Sequence, residues 1–548
     1  MQLKKFYIQA YQDRGFPITN IHVHPDNGGH PLAYGYIHLG VAIGSVEYKV
    51  QAFDSHIEGL RTEAAALELL KDPQQQWVFL LWVLRQKFPF FLRHYSPAIS
   101  IPRMTDMDNI LRKTFTSILG TNVSDITWNQ ACLPVKNMGF NLGHIGNTII
   151  AAFVANIQET RIEVRDKLPT AKYLDILDIE DPHEFDTRIA SSDYLPLQQD
   201  SFMQIIYPYR NLKGAIDNAK KENTEAAKKI IEESNQSNRN ALEEAQGRSE
   251  AKNLQYVFTK ILSTHNIRNF TEWHQQNNTP AHNARLLSCY GSMAGSWLLS
   301  IPKDKHSTIL PETFRHCCLL RLGLEMPSTP NYCRACKTPM DPTCTHLFSC
   351  VHYRQLLTHR HDAIINDLKE LASSAGVQAK DKNLTIFRIE DETDGHRPDL
   401  KLAKQGTNGR DLYLDITVSH PTCQSYVGYA CKERGHTIKK KIKEKNDKYK
   451  EKCENQGYCF LPLAFESFGL ASKGVVDVIS SLAAKASELL CIPYALLLSY
   501  WKKRISTTLQ VGTAKYVMEA SACSRHPQRH QAYENSVWLE SRHVRPRQ

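Results

Sequence analysis

Two short apolar runs, each carrying one aspartate, limit the possible folds of this chain more than any other stretch. The first is Arg397-Pro398-Asp399-Leu400. The second is Leu412-Tyr413-Leu414-Asp415-Ile416-Thr417-Val418, after the polar break Gln405-Gly406-Thr407-Asn408-Gly409-Arg410. Apolar runs on either side of a Gly/Asn turn predict a β-hairpin. Such a hairpin brings two carboxylates to one point, as metal-assisted phosphodiester chemistry requires. Around it the sequence predicts a helix over 359–376, a strand over 384–387, a lysine-rich helix over 439–449 and a strand over 458–466. That is an α/β order.

The chemistry follows from the residue types. Asp399 and Asp415 offer oxygen ligands for Mg2+ or Mn2+. A lysine beside them would orient water or stabilise charge on the phosphate. This is the logic of PD-(D/E)xK nucleases, in which the lysine often lies two residues after the second acid. Here Thr417 stands at that place. The lysine is therefore expected from the basic helix, with Lys445 and Lys448 as candidates and Lys432 behind them. Lys439, Lys440 and Lys441 on the same helix suit phosphate contacts. The plainer alternatives are a turn aspartate, an edge-strand ion pair and a solvated lysine face.

A second cluster lies upstream. Cys333 and Cys336 form a CxxC pair, followed by Cys344, His346, Cys350 and His352. Zinc takes four sulfur or nitrogen ligands in a tetrahedron, and Cys333, Cys336, His346 and Cys350 supply them. Cys344 or His352 is the alternative for one place. With four protein ligands such a zinc is structural.

The chain has 548 residues, which implies several domains. Its 14 cysteines are read as reduced, because residues 1–11 hold no apolar signal core. No window approaches the ~18 unbroken apolar residues of a membrane span. The expectation is an intracellular protein, and the net charge of +10 favours a polyanionic partner.

The first half reads as mainly helical. A strand is expected over 36–44, helices over 56–86, 105–119 and 145–157, and a long charged helix over 213–262. A short helix over 313–323 should end at Gly323, with Cys317 and Cys318 as core residues.

Cys333-x-x-Cys336, Asp341, His346 and Cys350 resemble the CCHC knuckle of non-LTR retrotransposon proteins. Arg360-His361, Arg397-Pro398-Asp399, Asp415-Ile416-Thr417-Val418, residues 445–449 and 462–469 resemble the restriction-like endonuclease that follows it. Residues 39–44, Phe91-Leu92-Arg93, Leu133-Pro134, 139–143, 295–298 and Arg321-Leu322-Gly323 resemble the thumb and linker after a reverse-transcriptase palm.

The resemblance implies an α+β multidomain chain. Its parts are a thumb-like helical region at 1–160, a helical linker at 161–330, the knuckle at 331–355, the endonuclease core at 356–475 and a C-terminal helical extension at 476–548. No Tyr/Phe-x-Asp-Asp polymerase motif occurs, so reverse transcription is not expected and the chain reads as a truncated element protein.

The implied activity is Mg2+- or Mn2+-dependent nicking of chromosomal target DNA. Asp399 and Asp415 would bind the metal, assisted by Lys445 or Lys448. Glu466 would be a further ligand or a structural partner, and Arg360, His361 and Arg397 would hold phosphate or brace the site. The implied partners are DNA and the element's RNA, without a membrane, and the implied location is the nucleus. The competing reading is a non-catalytic RNA- or DNA-binding remnant.

Overall fold

In a computed structural model, the fold is described over residues 35–38, 41–95, 97–149, 151–153, 155–156, 254–327, 329–381 and 398–522. The chain divides into two compact units. One is drawn from Met1–Ala66, Leu84–Leu111 and His144–Leu262, the other from Leu67–Val83, Arg112–Gly143 and Ser263–Gln548. The strand expected over 384–387, Arg397 and most of the charged stretch 213–262 lie outside the described residues.

In the first unit, the strand expected over 36–44 is a hairpin instead. Strands β1 (Gly35–His38) and β2 (Val41–Gly44) pair antiparallel. Helix α1 (Val46–Leu67) buries Phe53, Ile57, Leu60 and Ala64, a spacing that puts all four on one face. The helix expected over 56–86 breaks after α1. The Asp72 carboxylate accepts from Gln74 N–H and Gln75 N–H, and Pro73 starts a new helix, α2 (Pro73–Phe79), which belongs to the second unit. Asp72 and Pro73 form a start signal, since proline lacks the N–H that a first helical turn leaves unpaired. Helix α3 (Arg85–His94) belongs to the first unit, in which helix α4 (Met104–Leu119) begins.

The second unit is built around a buried arginine. Helix α5 (Asp125–Cys132) is capped by Ser124 and leads into a tight loop. Helix α6 (Leu254–Asn277), which belongs to this unit from Ser263 on, and helices α7 (Pro280–Ser288) and α8 (Pro311–Leu322) follow, and α8 ends at Gly323, as expected, with φ 68°. Arg321 on α8 is 1% exposed. Its guanidinium donates to Val135 O at 2.7 Å, Ala294 O at 2.9 Å and Gly139 O at 3.2 Å. These contacts explain why Leu133-Pro134, 139–143, 295–298 and Arg321-Leu322-Gly323 stand out in the sequence. They meet at this hydrogen-bonded hub. A Cβ on Gly295 would lie 2.3 Å from Val135 Cγ1, so the close approach requires glycine. Cys317 and Cys318 are buried in the core.

The remainder of this unit is a four-stranded mixed sheet in the order β3 (Ala379–Lys380), β4 (Leu400–Leu402), β5 (Leu412–Ser419) and β6 (Cys459–Glu466). The expected hairpin is β4–β5, antiparallel with Leu400 opposite Leu414. β6 runs parallel to β5, with Asp415 beside Pro462. The missing N–H of Pro462 is tolerated because β6 ends the sheet among the described residues.

Alternation along β5 sorts its side chains. Leu414 and Ile416 enter the large core with Ile364, Leu368 and Leu371 of helix α9 (Leu356–Ser374). Tyr413 and Asp415 face the other way. There, past the short turn α10 (Val427–Ala430), the lysine-rich helix α11 (His436–Asn455) packs against β5 and β6. Helices α12 (Lys473–Leu490) and α13 (Tyr494–Ala522) complete the core. Val475, Ile479, Leu482, Trp501, Ile505 and Leu509 share the core with Leu414 and Leu463. The chain is thus mainly helical with a small mixed sheet. No helix among the described residues is long and apolar enough to cross a membrane.

Candidate functional site

The hairpin brings the two aspartates together on the α11 side of the sheet. Asp399 precedes β4 by one residue. Its N–H donates to Leu414 O at 2.9 Å, and its Oδ2 accepts from Ile416 N–H at 2.6 Å. The carboxylate is thereby tied to the backbone on either side of Asp415. From α9, His361 Nε2 lies 3.1 Å from Asp399 Oδ2, and His361 Nδ1 lies 3.1 Å from Asp362 Oδ1. From α11, Lys445 Nζ lies 2.8 Å from Asp415 Oδ2. Three secondary-structure elements therefore supply one polar cluster.

Its electrostatics are those of a crowded, dry site. Burial pushes the Asp415 carboxyl above the usual range, the Asp399 charge pushes it further, and Lys445 opposes both. Burial disfavours charge on His361, but the hydrogen bond and charge of Asp399, joined by Asp362, lift it to about 9. Burial, followed by the charges of Asp415 and Asp399, raises Tyr449 on α11 to about 12. Tyr449 was read from sequence only as the end of the basic helix. Its spacing of four from Lys445 was the available signal, since i and i+4 share a helix face.

The lysines separate by position. Lys445 reaches the Asp415 carboxylate. Lys448 is exposed, with its Nζ 5.4 Å from the Tyr449 ring centroid. Lys439 pairs with Glu433, while Lys440 and Lys441 lie over the Tyr426 ring at 5.1 and 5.9 Å. Lys432 is exposed.

Arg360 and Glu466 each take the second of the two roles expected of them. Arg360 cannot meet a phosphate where it stands. It is 4% exposed and donates to Thr513 Oγ1 at 2.9 Å, so it braces α9 against α13. Glu466 is not a further ligand beside Asp415. It pairs with Ser419, four residues farther along β5, and accepts from Thr437 Oγ1 in the first turn of α11. A carboxylate there suits the positive end of the helix dipole.

The cysteine cluster is also assembled. One ligand atom from each of Cys333, Cys336, His346 and Cys350 lies within 4.8 Å of the others, and this set can hold a metal such as zinc. Cys336 Sγ and His346 Nε2 are 3.1 Å apart. The loop is fixed by its backbone: Cys333 N–H donates to Thr338 O, and Lys337 takes φ 62°. Asp341 accepts from Thr345 N–H and His346 N–H, which sets the histidine's direction. Neither alternative ligand joins the set. Cys344 Sγ instead lies 3.5 Å from Thr329 Oγ1, and His352 is exposed.

The knuckle is tied to the sheet. Phe348 stacks on His420, just past β5, at 3.8 Å and 10°. Tyr516 Oη donates to Leu347 O at 2.5 Å. Burial, then the nearby Arg360 charge, lowers His420 to about 3, so this ring is neutral.

No known family model matches the chain, and no curated protein matches it.

Proposed function

We propose that the chain is a metal-dependent DNA endonuclease of the restriction-like kind, working within a non-LTR retrotransposon protein. The observation that carries this reading is the meeting of Asp399, Asp415 and Lys445 under a lysine-rich helix.

The donor set fits a hard divalent cation. It is made of carboxylate oxygens, and a cation would offset both the burial and the Asp399 charge that raise Asp415. Asp399 and Asp415 would hold Mg2+ or Mn2+, which supplies Lewis acidity and an activated water when bound. The Ile416 N–H and His361 orient Asp399. Lys445 is placed to swing from Asp415 to a phosphate oxygen and stabilise its charge. Tyr449 keeps its proton at neutral pH and serves as a hydrogen-bond donor. The exposed basic side chains of α11 give the helix a phosphate-binding flank.

Cys333, Cys336, His346 and Cys350 hold a structural Zn2+ in this reading. Target DNA is the substrate, with the element's RNA as a second partner, and chromosomal DNA places the action in the nucleus. The test is nicking of supercoiled DNA by purified full-length protein with Mg2+ or Mn2+. Asp399→Ala should abolish it. Salt-sensitive binding without nicking across metals and substrates would instead leave a nucleic-acid-binding module.

A further inference from the structure

The corner formed by α10 and the start of α11 carries a feature that phosphodiester chemistry does not use. Tyr429 is 69% exposed, an unusual state for so large a ring. One face is backed by the His436 ring, with centroids 5.1 Å apart and planes at 15°. With most of the ring exposed, its other face is open to solvent. The surroundings are basic: Lys432, Arg434, Lys439 and Lys440 are all exposed. Glu433 neutralises part of this charge through Lys439 and His436. Arg434 lies over the Tyr290 ring at 4.6 Å, and Lys440 over Tyr426 at 5.1 Å, so aromatic and basic side chains alternate across the corner.

We propose that this corner binds an unpaired nucleotide, with its base stacked on Tyr429 and its flanking phosphates held by the neighbouring lysines. A backed, exposed ring among cations is the arrangement by which proteins take single-stranded nucleic acid, because every base has a flat face. A paired base is already stacked and offers the ring nothing, whereas an apolar protein partner would have to desolvate the surrounding charges. The location gives the site a purpose. His436 and Lys445 lie on one helix, nine residues apart, so the stacking platform stands about 14 Å from the carboxylates along α11 and about half a turn around it. A strand that crosses α11 obliquely from the corner would place an unpaired base on Tyr429 while its backbone reaches Lys445. The preferred substrate is thus DNA with an unpaired or displaced stretch a few nucleotides from the nick. This last step rests on the nuclease reading, whereas base stacking itself does not.

Two measurements separate the two claims. The first is metal-free binding of full-length protein to single-stranded and duplex oligonucleotides carrying 2-aminopurine at successive positions. Quenching should occur at one position in the single strand. Tyr429→Ala should remove it and weaken single-strand binding roughly tenfold, with duplex binding unchanged, and Tyr429→Trp should keep both. Equal single-strand binding by wild type and Tyr429→Ala, or equal losses on single strand and duplex, would overturn the proposal. The second compares nicking of a duplex with that of the same duplex carrying a short mismatch. Faster nicking of the mismatch, lost in Tyr429→Ala, supports the proposal, and equal rates overturn the substrate preference. Quenching without nicking of either substrate would remove the nuclease reading and leave the stacking site standing.

Discussion

Lys445 Nζ lies 2.8 Å from Asp415 Oδ2, although the two residues come from different elements thirty positions apart. In the proposed site a helix thus supplies the lysine that the strand lacks at Thr417. Lys445→Ala should cut nicking about 100- to 1000-fold, the usual effect of removing one charge-stabilising donor. Lys448→Ala, from an exposed position, should cost less than tenfold. Plasmid nicking under single-turnover conditions checks both, and a reversed order would move the catalytic role to Lys448.

Divalent metal should stabilise the protein through the same carboxylates. At a Mn2+ concentration 100 times Kd, binding adds about 2.7 kcal/mol. Thermal unfolding of wild type should therefore shift upward with Mn2+, and that of Asp415→Asn should not. Without metal, Asp415→Asn should be about as stable as wild type, because it removes a carboxylate that burial and Asp399 already disfavour. An unchanged metal response in the variant would exclude this site.

Stability without divalent metal should fall on the alkaline side. His361 holds its proton to about 9, above the ordinary 6.5 that it regains on unfolding. Its contribution is complete below pH 6.5 and lost as pH rises through 9. After solvent screening this is on the order of 2 kcal/mol. Denaturant midpoints across that window, with EDTA present, should decline in wild type and decline less in His361→Asn. Parallel profiles would show that the ring is not ion-paired with Asp399.

Zinc analysis distinguishes the knuckle ligands. Wild type should carry one Zn2+. Cys336→Ser and His346→Ala should lose it, while Cys344→Ser and His352→Ala should keep it, because their side chains lie outside the set. Loss of metal should also loosen the segment that stacks Phe348 on His420, seen as faster hydrogen exchange in residues 345–353. Retention of zinc by His346→Ala would call for a different ligand set.

The arginine hub should be sensitive to small changes. Arg321→Met leaves the buried carbonyls of Val135, Gly139 and Ala294 without their donor, at a cost of about 3 kcal/mol or more. Gly295→Ala should destabilise as well, since its Cβ would meet Val135 and Arg321. Chemical denaturation of both variants tests this, and a cost below about 1 kcal/mol would show that the hub is dispensable.

The sequence by itself determined what depends on local chemistry. The Gly/Asn turn between two apolar runs marks the β4–β5 hairpin, and a glycine after an apolar helix marks the end of α8. The CxxC pair and downstream His346 and Cys350 mark a compact metal set, since four polar ligands in a short segment have few other ways to converge. The lysine run marks a helix with an exposed basic side.

Tertiary structure alone decided which side chains meet. Lys445 and Lys448 are equivalent in composition, and the packing of α11 on β5 puts one against Asp415 and leaves the other in solvent. Arg360 and His361 are adjacent, yet the turn of α9 buries one against α13 and aims the other at Asp399. Arg321 gives no local sign that it will bind three distant carbonyls. Helices α12 and α13 could not be read as core, because their apolar faces belong there only once the sheet exists to receive them. Short-range signals fix elements through turns and caps, whereas contacts between elements depend on long-range packing that no window of sequence contains.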